Sequence, residues 1–325
     1  LEHRVAHELP RTVGVHALSA PGRTVSKGWL GRRSAARRLA RLHADLARAQ
    51  SFDLLVSSLP FADEVALAAR LPRHWCRIAN TLSAEIARLR AERPSKAARR
   101  LARYRRLYEG RSLIAVSEGV ARDLRETMAL ERARVEVIPN PFDADALRLR
   151  AQEAAALPER PYVIHVGRFS AQKRHDVLLD AFGRLDAHHR LVLLADADPV
   201  LEAMIAERGL AARVRIAGFQ PNPYPWIAAA DLLVLSSDHE GLPNVIIEAL
   251  LLGVPVVSTD CPSGPREILG AALPECLVAV GDAAALGDAM RRALRARPDV
   301  RRVDLQRYAQ PRVVAAYERL AAEAS

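Results

Sequence analysis

The chain has 325 residues, half of them hydrophobic, and a formal net charge of +10. That length fits about two domains, and no apolar run approaches the roughly 20 residues needed to cross a bilayer. Cys76, Cys261 and Cys276 are widely separated, so composition excludes a disulfide-stapled fold and a cysteine metal site and predicts idle, reduced thiols. Charge is unevenly spread: residues 1–140 hold 27 Lys and Arg against 14 Asp and Glu, whereas residues 141–325 hold 21 against 24. Such asymmetry predicts that the first half meets something anionic.

Short runs of Val, Leu and Ile alternate with helical patterns, which predicts parallel sheets wrapped by helices. In the first half, strands are expected at 12–17, 53–57, 74–79, 112–116 and 134–138. Helices are expected near 33–49, 61–70, 83–91, 95–108 and 118–129. The turn-rich "PNPFDAD" at 139–145 is the expected linker. It divides the chain into a basic domain over 1–145 and a second domain over 146–325. Second-half strands are expected at 162–166, 190–195, 213–217, 232–236 and 254–258, with a helix near 173–185. The last helix is expected to pack back on the first domain.

In open parallel sheets, ligands sit beyond the carboxyl ends of the strands. Three polar loops occupy such places: "GRFSAQKR" from Gly167, "GFQPNPYPW" at 218–226, and "DHEGLPN" from Asp238. Pro243 suits a first helical position, because it has no amide hydrogen to leave unpaired. The free amides around Asn244 and Val245, backed by the helix dipole, then predict an anion site. Arg168 and Lys173 from the neighbouring loop would neutralise the same anion. Carboxylates near a helix start also stabilise the helix by about 0.3–1 kcal/mol. That accounts less well for Glu248, which interrupts the apolar run "NVIIEALLLG" and must find donors if buried. A ribose diol supplies two.

The stretch "EGLPNVIIEALLLGVPVVSTDCPSGPREIL" resembles the E-x7-E region of the retaining GT-B glycosyltransferases of family four. "HVGRFSAQKRHDVLLDAF" resembles the Gly-Arg-x(4)-Lys loop of that family, and "GFQPNPYPWIAAADLLVLSS" its nucleotide-side segment. "LIAVSEGVARDL" and "VEVIPNPFD" are similar to the stretches that close its first domain. The resemblance covers about residues 50–325. It implies a GT-B fold, in which two doubly wound Rossmann-like α/β domains face a cleft. It also implies that Arg168 and Lys173 hold the donor diphosphate, Glu248 the ribose, and Glu240 a hydroxyl of the donor sugar. Gly167 and the segment Gly241, Leu242, Pro243 and Asn244 would line sugar and phosphate, and Phe219 would flank the base. Retention would come from the leaving phosphate assisting the attacking hydroxyl, with no metal and no cofactor.

Several positions depart from that pattern. Asp196 and Asp198 mimic the metal motif of the other glycosyltransferase fold, but are expected to be turn acids capping a helix. His239 is expected to be a loop residue facing the cleft. The strand "WCRIANTLS" lacks the histidine of many relatives, leaving Asn80, Thr81 or Ser83 to face the acceptor. The resemblance also implies a strand, a Gly-rich loop and a helix before residue 12. With Leu1 in place of Met, the reading frame is expected to extend upstream by roughly 40–60 residues.

Residues 85–111 hold ten basic residues against Glu85, Glu92 and Glu109, with Leu101, Tyr104, Leu107 and Tyr108 at helical spacing. One reading is a solvated helix packing its apolar stripe on the sheet. The other is a surface for anionic lipid headgroups, which suits a lipid-linked acceptor. Nucleic acid is not an expected partner, since no aromatic platform accompanies the charge. The resulting expectation is a cytoplasmic enzyme, peripheral on the cytoplasmic face of the inner membrane, that moves a sugar from a UDP-sugar. Its acceptor would be a glycan or lipid-linked glycan in bacterial surface polysaccharide or lipopolysaccharide synthesis. The alternatives are a non-catalytic sugar-nucleotide binder, an epimerase of the same fold, or a nucleic-acid-binding protein.

Overall fold

Short apolar runs bounded by turns fold as buried parallel strands, as the alternation predicts. The computed structural model describes residues 12–19 and 25–323. Helix α1 (Trp29–Ala47) precedes a four-stranded parallel sheet of β1 (Leu55–Ser58), β2 (His74–Ile78), β3 (Ser112–Ala115) and β4 (Arg134–Val137), in that spatial order. Its connections carry α2 (Pro60–Ala68), α3 (Leu82–Glu92), α4 (Pro94–Tyr108) and α5 (Glu118–Arg122), the last continued by a π turn over 123–127. Pro60 opens α2 at a position that needs no amide donor. The Ser117 hydroxyl caps α5 by accepting the Val120 amide.

Helix α6 (Ala144–Arg150) leads to the second sheet, which is built from β5 (Tyr162–Val166), β6 (Arg190–Leu194), β7 (Val214–Ile216), β8 (Leu232–Leu235), β9 (Val256–Thr259) and β10 (Leu277–Val278). Its helices are α7 (His175–Phe182), α8 (Pro199–Glu207), α9 (Tyr224–Ala228), α10 (Asn244–Leu251), α11 (Pro265–Leu269) and α12 (Ala283–Ala296). The strand order is β10-β9-β8-β5-β6-β7, so the winding reverses between β5 and β8. A crevice opens at such a reversal. Helix α13 (Gln310–Glu323) ends the described chain and buries Val313 and Leu320 against Trp75, Ile114 and Ile138 of the first sheet.

The two sheets share an apolar core. One buried cluster joins Ile78, Leu113 and Leu124 to Ile246, Ile247 and Leu269. A single antiparallel bridge, Asn80 to Gly241, and a parallel one, Phe142 to Ala309, also tie the halves.

The strand expected at 12–17 does not form: those residues are exposed coil, with Val13 47% and Val15 64% exposed. Alternating valines mark a strand only where a neighbour supplies ladder bonds, and among the described residues β1 pairs with β2 alone. The part of the sequence before residue 12 lies outside the described residues.

Candidate functional site

The loops leaving β5 and β8 meet at the reversal of the second sheet. After β5, Gly167 and Arg168 lead into a 3-10 turn over Ala171–Lys173. A Cβ on Gly167 would lie 3.1 Å from Lys173 Cε, so the glycine makes room for the lysine stem. Lys173 Nζ lies 2.8 Å from Glu240 Oε1, and the Ser237 hydroxyl donates to the same oxygen at 2.6 Å. Behind Lys173, His165 and His175 meet edge to face at 4.8 Å. Burial, then the neighbouring His175 ring and Lys173, hold His165 well below the usual imidazole range, and burial and Lys173 bring His175 down to about 4. Both shifts favour the neutral ring, which leaves Lys173 as the cation of this group.

Glu240 is fixed by its backbone as well as by its carboxylate. Its carbonyl accepts from the Thr81 amide at 3.1 Å and the Thr81 hydroxyl at 2.6 Å, and its amide donates to the Pro262 carbonyl at 2.6 Å. The Ser117 hydroxyl donates to the Gly241 carbonyl at 2.7 Å. A Cβ on Gly241 would stand 2.1 Å from the Ala79 carbonyl oxygen. Only glycine permits this approach between the halves.

A cavity of about 680 Å³ opens at this junction. Arg168, Lys173, Glu240, Gly241 and Leu242 form its second-half wall, and Asn80 belongs to the first-half wall. This volume is ordinary for a small-molecule site. Thr81 is buried with its hydroxyl engaged, and Ser83 lines a separate cavity of about 530 Å³ between α5 and α11. Of the three residues expected to face the acceptor, the structure brings only Asn80 to the cavity of Lys173 and Glu240.

Helix α10 begins at Asn244, and Pro243 precedes it with an extended backbone, so Pro243 caps the helix rather than opening it. Asn244 is exposed. Glu248, five residues into the helix, sits beside Tyr224 and Arg150; burial pushes its pKa up to about 7 against their opposing pull. The Arg150 guanidinium stacks 4.9 Å from the Tyr224 ring. Phe219 is 62% exposed on the loop after β7. His239 is 3% exposed, and Glu85 and Arg88 of α3 in the opposite half are among its nearby charges, so it is buried between the halves. The Asp198 carboxylate accepts the Val200 amide and caps α8. Among the described residues, the His and acidic ligand atoms that converge are those of Asp186, His188 and His189. They lie before β6, at the sheet end opposite the cavity.

The basic stretch is divided by the rotation of α4. Ala97, Tyr104 and Tyr108 are buried, Arg100 and Arg103 turn into the cavity, and Arg93, Lys96, Arg99 and Arg106 face solvent. The apolar stripe of the stretch thus packs inward, while its cations divide between the cavity and solvent. Sequence reasoning also missed Arg77, Arg32 and Asp63, which join the wall from β2, α1 and α2. No local motif marks them, because they meet only through the fold.

The family described as "Glycosyl transferases group 1" matches residues 160–296, and "Glycosyltransferase Family 4" matches residues 2–146. One curated relative is the N-acetylgalactosamine-N,N'-diacetylbacillosaminyl-diphospho-undecaprenol 4-alpha-N-acetylgalactosaminyltransferase of Campylobacter jejuni. It is 34% identical over 157 residues, covering 47% of this chain and 42% of the relative. The lipopolysaccharide 1,6-galactosyltransferase of Escherichia coli is 31% identical, covering 48% of this chain and 45% of its own length. The chain thus spans less than half the length of these relatives. Among solved structures, a sucrose-phosphate synthase from Thermosynechococcus elongatus superposes with a TM-score of 0.67 at 21% identity, covering 90% of this chain and 76% of its own. Anabaena HepE in complex with UDP and glucose gives 0.64 at 21% identity, covering 91% and 81%. The fold is GT-B.

Proposed function

Because the chain belongs to the GT-B glycosyltransferases of group 1 and family 4, we propose that it transfers a sugar, with retention and without a metal, from a nucleotide sugar to a glycan or lipid-linked glycan. A UDP-linked donor fits the HepE neighbour, solved with UDP, and a place in bacterial surface polysaccharide or lipopolysaccharide synthesis fits the Escherichia coli relative named as a lipopolysaccharide galactosyltransferase. The observation that carries the proposal is the Lys173–Glu240 pair at 2.8 Å in the wall of the interdomain cavity. The ammonium there can pair with a diphosphate oxygen while the carboxylate beside it accepts a sugar hydroxyl.

In this reading, Arg168 and Lys173 bind the diphosphate and take up its growing charge as the bond from C1 to the phosphate oxygen breaks. The acceptor hydroxyl attacks C1 from the same face. Its proton passes to the departing phosphate oxygen, so configuration is kept without an enzymic nucleophile. Glu240 and the main chain of Gly241 and Leu242 hold the sugar, while Glu248 takes the ribose hydroxyls. Gly167, Pro243 and Asn244 shape the phosphate end, and Phe219 flanks the base. Pre-set geometry of this kind supplies much of a rate enhancement.

The test is product analysis by nuclear magnetic resonance, starting from UDP-sugars of known anomeric form and with EDTA present. An axial donor should give an axial product at full rate. An inverted product, or strict dependence on manganese, would contradict the mechanism. The outward cations Arg93, Lys96, Arg99 and Arg106 support peripheral attachment at the cytoplasmic face of the membrane. Co-sedimentation with anionic but not zwitterionic vesicles is the expected outcome, and equal pelleting with both would refute it.

A further inference from the structure

The transfer proposed above needs an acceptor, and the first-half wall of the cavity points to its chemistry. Lys27, Arg32, Arg77, Arg100 and Arg103 reach the cavity from the stretch before α1, from α1, from β2 and from α4. Their carboxylate neighbours are fewer. Glu64 accepts from Arg32 at 2.8 Å and from Arg103 at 2.6 Å. Glu85 accepts from Arg100, and Asp63 accepts from Ser57 and, at 2.8 Å, from Tyr108. Five cations thus face three carboxylates even when Asp63 is counted as ionised. Burial raises the Asp63 pKa, against the opposing pull of the Ser57 and Tyr108 hydroxyls. Arg77 donates to a neutral group, the side chain of Asn140.

A concave wall with unbalanced positive charge focuses its field into the cavity and favours an anionic occupant there. The donor diphosphate accounts for Arg168 and Lys173 on the opposite wall, not for these residues. We infer that the acceptor carries an oxyanion next to the sugar that is extended, and that Arg77, Arg100 and Arg103 bind it. The inference rests on the transfer reading. Guanidinium forks match phosphate and carboxylate oxygens in pairs. The oxyanion can therefore come from the diphosphate of a lipid carrier or from the carboxylate of an acidic sugar. In either case, binding it here places the acceptor hydroxyl against the Lys173–Glu240 side of the same cavity.

The test is calorimetric titration of the full chain, saturated with UDP, using citronellyl diphosphate in one arm and glucuronic acid in the other. One of the two should bind, which identifies the source. Its affinity should fall by about tenfold or more in Arg77→Gln, in line with losing a charge-assisted bond. It should fall similarly in the paired change Arg103→Gln with Glu64→Gln, which strands no carboxylate. Arg301→Gln, at an exposed position outside the cavity, should leave it unchanged. Binding of neither anion, binding that survives both arginine changes, or binding lost in Arg301→Gln would overturn the inference. If UDP itself fails to bind, the donor reading falls separately, and the same titrations without UDP still report on the arginine wall.

Discussion

Glu248 holds its proton up to about pH 7 because burial disfavours the carboxylate. The unfolded chain releases that proton in the ordinary carboxylate range, so between those limits the folded state binds more protons. Stability from this group is full below the unfolded pKa and is lost as pH rises toward 7, by up to about 1.4 kcal/mol per pH unit. Glu248→Gln should therefore match the parent near pH 4.5 and exceed it by about 1–3 kcal/mol at pH 8. Denaturant unfolding at both pH values checks this, and an equal fall in parent and variant would contradict it. A carboxylate that weakens the empty protein fits a residue kept for its ligand. At this scale the sequence was informative where one residue broke a local pattern, as Glu248 does in an apolar helix. It was silent on Asp63, Arg32 and Arg77, whose neighbours lie far away along the chain.

The loop from β8 to α10 is the element that joins the halves. Gly241 has no room for a side chain, since the obstructing atom is the backbone oxygen of Ala79. Gly241→Ala must push the two loops apart and strain the Thr81 contacts to the Glu240 carbonyl. Overpacking against rigid backbone costs about 1–3 kcal/mol, so the denaturant midpoint should fall accordingly. An unchanged midpoint would show that the halves do not meet here in solution. Strands such as Leu232–Leu235 were legible because an unbroken apolar run suits a fully covered parallel strand. The strand read at 12–17 failed because alternation cannot supply a pairing partner. The two-residue strand Leu277–Val278 is too short to leave any periodicity. The start of α10 was misplaced by one residue, since Pro243 suits both the cap and the first turn.

Across the whole molecule, two parallel sheets put the loops of β5 and β8 opposite a basic first-half wall. The alternation of strands and helices made this architecture legible, and charge asymmetry flagged the wall without locating it. Which face of α4 turns inward depends on how it packs against α2 and α3, and that is not written in α4 alone. The central claim is that Lys173 and Glu248 hold the nucleotide while Glu240 serves the sugar. Calorimetric titration with UDP, which carries no sugar to transfer, separates these roles. Lys173→Ala and Glu248→Ala should each weaken UDP by about tenfold or more, as expected for a lost charge-assisted bond. Glu240→Ala should bind UDP as tightly as the parent or more tightly, because Lys173 is freed from its partner. Equal UDP affinity in the parent and all three variants would contradict the account.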